Sequence, residues 1–351
     1  MLVNGRHYRS VWMEKNIVYV INQKLLPQKF EILGMKTVEE VADAIQTMVI
    51  RGAPAIGASG AYGVALAMLT YAKNGFSRDF EDKISLLKST RPTAHDLFHA
   101  IDYVLDSIRN ETDINKKIKA AKKSAEEYAN QSIKACKSIG MFGSELIKDG
   151  FRIATHCNAG WLATVDWGTA LSPIYFAKRQ GKRIKVFVDE TRPVLQGARL
   201  TSWELRQEGI EHYVISDNAL GYLMKKGEID LMIVGADRIA KNGDVANKIG
   251  TYEKALVSKD NHIPFFVAAP TSTLDLKCKS GSEIPIEERS EEEVHYVYGF
   301  DDKGEWRRLR TTPKGVKARN PAFDITPAKY ITGIITENGI FKPHNIEMAL
   351  R

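Results

Sequence analysis

The chain has 351 residues, with 50 Lys plus Arg against 43 Asp plus Glu, so its formal net charge is +7, and 44% of its residues are apolar. This composition is typical of a globular protein and excludes collagen, coiled coils and wholesale disorder. The length predicts two domains, long enough to bury a core without disulfides or metals. The three scattered cysteines, Cys136, Cys157 and Cys278, predict neither a disulfide framework nor a metal knuckle and indicate a reducing, cytoplasmic location.

The first part of the chain begins with short alternating segments, such as residues 16–21, which suit small strands, and then has helical patterning. Thr37 with Glu40 forms a capping-box signature ahead of the first helix. Helical patterning continues, with breaks, through residues 52–72, 97–108 and 115–146. Residues 52–72 carry no charge, but their Gly and Ala content makes them too weakly hydrophobic for a membrane span. They predict a buried helix, and we expect no association with a membrane.

From residue 151 onward, short apolar runs alternate with helical segments. The runs occupy residues 151–155, 184–188, 213–215, 231–234, 265–269 and 331–336. Such alternation predicts parallel βαβ units whose strands are buried on both faces. We therefore predict an α/β fold: a mostly helical N-terminal domain with small strands over residues 1–149, and a Rossmann-like, doubly wound parallel-sheet domain over residues 150–351.

Polar or small residues follow four of the predicted strands. In open parallel sheets a ligand binds at the carboxyl ends of the strands, so these residues are expected on one rim. Helix capping is the simpler explanation for any single position, but four such ends together favour a site. The segments are His156-Cys157-Asn158, Asp189-Glu190-Thr191-Arg192, Asp217-Asn218 and Gly235-Ala236-Asp237.

Three further segments indicate anion binding. Arg51 precedes Gly52 and Ala53 in a small-residue turn that opens a helix, where free amides and a guanidinium form a phosphate seat. Arg91 and the pair Asn247-Lys248 could add cations. The basic charge is spread along the chain, which fits an anionic small molecule at least as well as nucleic acid. No GxGxxG follows a strand, which predicts that nicotinamide dinucleotides do not bind.

Three other patterns favour ordinary explanations. His156 and Cys157 are neighbours on a predicted strand, so they point to opposite faces and direct pairing is not expected. His95 and His99 have the spacing of zinc ligands but lack a third ligand, which favours a helix surface or a domain interface. The acidic run at residues 287–293 is interpreted as a solvated helix start.

Six motifs occur in order along the chain. They are Arg51-Gly52-Ala53-Pro54-Ala55-Ile56-Gly57, Cys157-Asn158-Ala159-Gly160, Glu190-Thr191-Arg192-Pro193, Gly235-Ala236-Asp237-Arg238-Ile239, Asn247-Lys248-Ile249-Gly250-Thr251 and Asn320-Pro321-Ala322-Phe323-Asp324-Ile325-Thr326-Pro327. Taken together, they closely resemble the S-methyl-5-thioribose-1-phosphate isomerase family over nearly the whole chain. The same fold superfamily includes isomerases of ribose 1,5-bisphosphate and 5-deoxyribose 1-phosphate, and the alpha, beta and delta regulatory subunits of the translation-initiation exchange factor, so fold alone leaves function open.

The resemblance implies a methionine-salvage isomerase that converts 5-methylthioribose 1-phosphate to the ketose without cofactor or metal, as a homodimer with no nucleic-acid or membrane partner. Its alternatives are an isomerase of 5-deoxyribose 1-phosphate or ribose 1,5-bisphosphate, or a non-catalytic regulatory subunit that binds sugar phosphates. It implies a catalytic pair, with Asp237 as the proton donor and Cys157 as its companion. It also implies a set of substrate-binding residues: Arg51, Gly52, Ala53, Arg91, Gln196, Asn247 and Lys248.

Two segments depart from the family pattern. Family members often carry Val-Asn after Arg-Pro-Thr-Ala, where this chain has His95-Asp96. The segment at residues 298–317 also looks longer than usual. Both departures concern the identity of the substrate rather than the chemistry of the catalytic pair.

Overall fold

The N-terminal half consists of short strands followed by five helices, and the computed structural model describes residues 1–74, 78–91 and 95–350. The strands are β1 (Leu2–Val3), β2 (Arg6–His7), β3 (Val11–Glu14), β4 (Ile17–Ile21) and β5 (Ile32–Met35). The helices are α1 (Val38–Gln46), α2 (Ala53–Asn74), α3 (Arg78–Ser89), α4 (His95–Ile108) and α5 (Ile114–Ser144). The predicted capping box is confirmed, because Thr37 Oγ1 accepts from the Glu40 amide and the Glu40 carboxylate accepts from the Thr37 amide.

Helix α2 is the central helix of this half. Its stretch Ala53–Tyr71 is long and apolar enough to cross a bilayer, but 78% of it is buried against the rest of the protein, as expected for a core helix. Its small residues permit that packing: a Cβ added at Gly60 would lie 2.5 Å from the Leu97 side chain on α4. The predicted buried helix is thus confirmed. Because α2 packs within the core, the rest of the protein fixes the position of its N-terminus.

The C-terminal half alternates strands and helices, as the apolar runs predicted. The strands are β6 (Arg152–Thr155), β7 (Lys185–Asp189), β8 (Glu211–Ile215), β9 (Leu231–Val234), β10 (Arg238–Ala240), β11 (Val245–Lys248), β12 (Phe265–Ala268), β13 (Leu274–Asp275), β14 (Tyr296–Phe300), β15 (Trp306–Arg310), β16 (Phe323–Thr326), β17 (Gly333–Thr336) and β18 (Gly339–Phe341). The helices are α6 (Ser172–Arg179), α7 (Ser202–Gln207), α8 (Leu220–Lys225), α9 (Thr251–Asp260) and α10 (Glu292–His295).

The main sheet has seven strands in the order β18-β17-β12-β9-β6-β7-β8. All neighbours pair in parallel except β17 and β18, which are antiparallel. The chain starts at β6, moves outward through β7 and β8, and returns to β9 on the other side of β6. The order therefore reverses between β6 and β9, which confirms the Rossmann-like, doubly wound prediction and places the ligand crevice at that point.

Two smaller sheets lie beside the main one. The first has the order β13-β10-β11-β16, and the second is the hairpin β14-β15. Strand β11 ends at Lys248, so the first small sheet carries Asn247 and Lys248. The longer segment at residues 298–317 forms part of the hairpin and the loop that follows it.

The buried apolar residues fall into separate clusters. One is built from residues of the N-terminal half, with Val165 as the exception. Another combines Met1, Val3 and Ile139 with residues of the main sheet and its helices. Met1 and Val3 thus pack with the later half, and the division at residues 149 and 150 stays a prediction.

Candidate active site

A cavity lies between the N-terminus of α2 and the carboxyl ends of β6 and β9, at the point where the strand order reverses. All of the catalytic and substrate-binding residues that the family resemblance implied line it. These are Arg51, Gly52, Ala53, Arg91, Cys157, Gln196, Asp237, Asn247 and Lys248. The two halves of the chain thus contribute facing walls of one site.

Gly52 shapes the anion-binding end of the cavity. It has a φ of +94°, and a Cβ at this position would lie 2.2 Å from the carbonyl oxygen of Ala163. Only glycine fits this combination of backbone conformation and close approach. Helix α2 then begins at Ala53, so its first-turn amides and the positive end of its dipole face the cavity.

Arg51 is anchored by the loop that follows β6. Its guanidinium donates to Asn158 Oδ1 at 2.6 Å and to the Asn158 carbonyl at 2.9 Å. Because both acceptors belong to Asn158, on the opposite wall of the cavity, they hold the planar guanidinium in one orientation. It remains at the cavity surface, where an anionic group of a ligand would meet it.

Two further cations are largely buried beside Arg51. Desolvation lowers the pKa of Lys248, and it also lowers the pKa of Arg91, with nearby Arg289 acting in the same direction on both. Lys248 Nζ donates to the Ala322 carbonyl at 2.9 Å and lies 4.6 Å from the centre of the Phe323 ring. Crowded, desolvated cations are stabilised by an incoming anion, so this end of the cavity is suited to a phosphate.

Asp237 lies on the opposite wall, directly after β9 and Gly235. Burial raises its pKa above the ordinary value, and Lys248, Arg51 and Arg91 oppose that rise. Gly235 allows the loops to approach, because a Cβ there would lie 2.8 Å from Cβ of Ala159. A desolvated carboxyl group that retains its proton is able to act as a general acid.

Cys157 follows His156 in the loop after β6, and both residues line the cavity. Its φ is +63°, a conformation that is uncommon for a non-glycine residue, and its side chain is buried. Two hydroxyl groups fix this backbone: the Cys157 amide donates to Thr191 Oγ1 at 2.8 Å, and Thr201 Oγ1 donates to the Cys157 carbonyl at 2.7 Å. A backbone conformation held by hydrogen bonds at a cavity wall is typical of a functional residue.

Gln196 and Asn247 supply polar groups between the two walls. Gln196 is buried, and its Oε1 has no hydrogen-bond partner among the residues that the structure describes. A buried acceptor without a partner is costly, so it would be satisfied by a hydroxyl group of a bound sugar. Asn247 Nδ2 donates to Thr251 Oγ1 at 3.0 Å, which leaves its Oδ1 toward the cavity.

The polar residues after β7 and β8 support the site rather than line it. His156 Nδ1 lies 2.9 Å from Asp189 Oδ2, and its Nε2 lies 2.8 Å from the Ile249 carbonyl, so both ring nitrogens are occupied. Asp217 accepts from the amides of Thr191 and Arg192. These bonds account for the convergence of His156, Asp189 and Asp217, and they agree with the expectation that His156 does not pair with Cys157.

The interpretation of residues 287–293 as a solvated helix start is wrong in part. Glu287 and Arg289 line the cavity, and Arg289 forms a 2.6 Å ion pair with Glu293, both side chains being largely buried. Helix α10 begins only at Glu292. Arg289 is therefore a cation of the site that sequence reasoning missed, because a largely acidic run carries no signal that distinguishes a cavity wall from a solvated face.

The helix that follows Arg91 carries the chain's departure from the family pattern. Asp96 is buried, and burial raises its pKa to about 6, while nearby His99 and Ser272 oppose the rise. His99 is exposed and lies beside the Tyr128 ring. The side chain of His95 is outside the described residues, so the structure does not bear on the pairing of His95 with His99.

A second cavity adjoins the first and shares Met48, Arg51 and Gln196 with it. Its walls are mostly apolar and aromatic, including Leu195, Val297, Tyr298 and Trp306. The β14-β15 hairpin contributes the aromatic side chains. The guanidinium of Arg199, which also lies here, donates to the main-chain carbonyls of Gln23, Lys24 and Leu26.

A Rossmann-like sheet with a cation-lined cavity at its switch point is typical of an α/β protein that binds an anionic ligand. Comparison with known proteins gives its family. The chain belongs to the initiation factor 2 subunit family, whose model matches residues 49–343.

Curated and solved relatives resemble the chain over most of its length. It is 51% identical to the methylthioribose-1-phosphate isomerase of Acetivibrio thermocellus, over 93% of this chain and 94% of that protein. It is 41% identical to a 5-methylthioribose 1-phosphate isomerase from Pyrococcus horikoshii, with a TM-score of 0.87 and coverage of 98% and 96%. It is also 40% identical to a structure described as translation initiation factor eIF-2B, subunit delta, from A. fulgidus, with a TM-score of 0.84 and coverage of 98% and 100%.

Proposed function

We propose that the protein is an aldose-ketose isomerase that converts 5-methylthioribose 1-phosphate to 5-methylthioribulose 1-phosphate in methionine salvage. The observation that carries this proposal is the combination, in one cavity, of a cation-lined helix N-terminus with Asp237 and Cys157. Relatives of about 50% identity that are named for this activity support it. The finer assignment of roles follows from the geometry and the chemistry.

The phosphate of the substrate lies against Arg51, the amides of Gly52 and Ala53, and the two buried cations Arg91 and Lys248. The anomeric oxygen of an aldose 1-phosphate is esterified, so the ring does not open by the simple hemiacetal route. Asp237 protonates the ring oxygen, which breaks the bond between that oxygen and C1. Burial raises the pKa of Asp237 above its ordinary value, which favours the protonated form that a proton donor needs.

Cys157 serves the second half of the reaction. Hydrogen moves from C2 to C1, so C2 becomes the ketone carbon and C1 keeps its phosphate ester. Cys157 acts as a proton shuttle on the C2 side, where the Thr191 and Thr201 hydroxyl groups hold its backbone in place. The C2 hydroxyl loses its proton as the ketone forms, and this loss balances the proton that Asp237 gives to the ring oxygen. The substrate is oxidised at C2 and reduced at C1 in the same molecule, so the reaction requires no redox cofactor.

The substituent at C5 decides between the related substrates. The adjoining apolar cavity favours a methylthio group over a second phosphate, because Arg199 already donates to main-chain carbonyls. A second phosphate would need additional unpaired donors, each contributing about 1 to 3 kcal/mol. The test offers the 5-methylthio, 5-deoxy and 5-phospho sugar 1-phosphates to purified protein and measures ketose formation. Higher kcat/KM on the bisphosphate would overturn the assignment.

A non-catalytic regulatory subunit is the second candidate, because one close structural relative is described as a translation initiation factor subunit. A binding module has no chemical need for a desolvated acid beside a constrained thiol, and both are present here. The same assay separates the two functions. Sugar phosphate binding without ketose formation from any of the three substrates would favour the regulatory subunit.

We also propose that the enzyme is a cytoplasmic homodimer. Its three cysteines are all free and buried, which is compatible with a reducing compartment. Two-fold dimers are the commonest assembly of enzymes of this size. Light scattering that gives a monomer mass across micromolar concentrations would contradict the dimer.

A further inference from the structure

A buried carboxylate lies behind the cavity, outside the residues that line it. Glu204, on helix α7, is fully buried, and its two oxygens accept four hydrogen bonds. Oε1 accepts from Asn158 Nδ2 at 2.8 Å and from the Leu162 amide at 3.2 Å, and Oε2 accepts from the Trp161 amide at 2.8 Å and from the Tyr175 hydroxyl at 2.6 Å. A structural role alone would explain the two amide bonds, but not the bond to Asn158.

The loop after β6 is built to admit this carboxylate. A Cβ at Gly160 would lie 2.0 Å from Glu204 Oε2, so a larger residue would displace the carboxylate. Burial raises the pKa of Glu204, while its donors act in the opposite direction. Four donors match the four acceptor positions of an ionised carboxylate.

Two oxygens accept from the Asn158 amide nitrogen, Glu204 Oε1 at 2.8 Å and Thr201 Oγ1 at 3.2 Å, and together they fix which way the amide faces. The bond to Glu204 is the shorter one and its acceptor is a carboxylate, so it makes the larger contribution. Glu204 accepts from Nδ2, so Oδ1 turns toward the cavity, where Arg51 donates to it at 2.6 Å. Because a guanidinium only donates, Arg51 would lose this partner if the Asn158 amide were reversed. Glu204 is thus connected to Arg51 through one intervening residue, Asn158, whose side-chain amide bonds to both.

We propose that Glu204 is a positioning residue, which fixes the Asn158 amide in the orientation that holds the Arg51 guanidinium at the anion-binding end of the cavity. This inference rests on the proposed function to the extent that the anion is the phosphate of the substrate. Its effect is on binding, since Arg51 holds the phosphate equally before and during the reaction.

The test replaces Glu204 with an amide of the same shape. Glu204→Gln introduces an NH2 group where four donors now point at a carboxylate. The variant therefore favours reversal of the Asn158 amide, which would turn the Asn158 NH2 group toward the Arg51 guanidinium and repel it. We expect the Kd for inorganic phosphate, measured by calorimetry, and the KM for the sugar phosphate to rise at least about fivefold, while kcat changes by less than about twofold. The phosphate measurement needs no turnover, so it separates failure of this inference from failure of the proposed isomerase activity.

Two further variants separate positioning from packing. Glu208→Gln makes the same change about one helical turn further along the chain. The Glu208 side chain accepts from the Leu2 amide and from Arg179. We expect the Glu208→Gln variant to bind phosphate with wild-type affinity. In an Arg51→Met background, Glu204→Gln produces no additional loss of phosphate affinity. Lowered thermal stability with unchanged phosphate affinity in Glu204→Gln would reduce Glu204 to a packing role.

Asn158→Ala keeps the inference testable if Glu204→Gln does not fold. This variant leaves the carboxylate and its three other donors in place but removes the amide that connects it to Arg51. We expect the same rise in the Kd for phosphate. Wild-type phosphate affinity in a folded Asn158→Ala variant would overturn the proposal.

Discussion

The two walls of the cavity differ in the kind of group they contribute. The N-terminal wall provides a helix N-terminus and the guanidinium groups of Arg51 and Arg91, which attract an anion through a dipole and through positive charge. The sheet wall provides Cys157 and Asp237, which are able to exchange protons. Lys248, on β11 of the C-terminal half, adds a cation to the same end of the cavity as Arg51 and Arg91. With that exception, we expect one wall to bind the anion and the other to perform the reaction, so that substitutions in the two walls should alter different kinetic constants.

Asp237→Asn should have the largest effect on kcat. It should change the chemistry of the sheet wall and leave anion binding at the N-terminal wall intact. The amide keeps the shape but has no acidic proton, so kcat falls by at least about 100-fold, while phosphate affinity changes little. In the wild type, the raised pKa keeps the acid protonated at lower pH, so kcat decreases as the pH rises through that pKa. Steady-state kinetics across pH provide the measurement.

Asp260→Asn is the matched control, since it removes a carboxylate from the exposed end of α9. Its kcat should equal that of the wild type. A wild-type rate in Asp237→Asn would remove Asp237 from the mechanism, and a large loss of phosphate affinity would contradict the separation of the two walls.

Cys157→Ser should lower kcat by at least about tenfold, because serine is far less acidic than cysteine. Substrate binding should be unchanged, because the two side chains are nearly isosteric. Cys136→Ser and Cys278→Ser serve as controls, with turnover near wild type; burial raises the pKa of the Cys136 thiol to about 12. Mass spectrometry after alkylation gives a second readout, since the bound sugar phosphate should protect Cys157. Equal labelling of Cys157 with and without substrate would contradict its place in the cavity.

Gly52→Ala should perturb the N-terminal wall. The added Cβ would lie 2.2 Å from the Ala163 carbonyl at a φ of +94°, so we expect a loss of about 3 to 4 kcal/mol in the free energy of unfolding, together with a higher KM. Gly150→Ala is the control, because its φ of +83° imposes similar strain but its Cβ would have no atom of the described residues within 4 Å. Equal destabilisation of the two variants in urea unfolding would show that close approach at Gly52 has no energetic role.

Local patterns, and for Gln196 the family resemblance, predicted most residues of the site, but Arg289 and the supporting contacts depend on tertiary structure. Apolar runs identified the strands, and the rule for parallel sheets located Cys157 and Asp237 at their carboxyl ends. Arg289 was missed because an ion pair with Glu293 becomes buried only when the segment packs against the cavity. Glu204 was missed for the same reason: nothing in a short helical segment indicates that its carboxylate will accept four hydrogen bonds from residues more than 25 positions away in the chain.

The smallest predicted effect concerns Asp96, on the helix that follows Arg91 in the N-terminal wall. Its pKa is raised from 3.8 to about 6 by burial, so the folded protein binds a proton at Asp96 more tightly than the unfolded chain does. The resulting stabilisation is fully present below about pH 4 and is lost as the pH rises through about 6. Asp96→Asn stays neutral throughout, so the free energy of unfolding of the variant relative to wild type should rise by about 1 to 3 kcal/mol between pH 4 and pH 7. Urea unfolding of both proteins at each pH measures the difference, in which contributions from other titrating groups cancel. A difference that stays constant over this range would show that Asp96 does not titrate there, and the N-terminal wall would then hold its charges independently of pH.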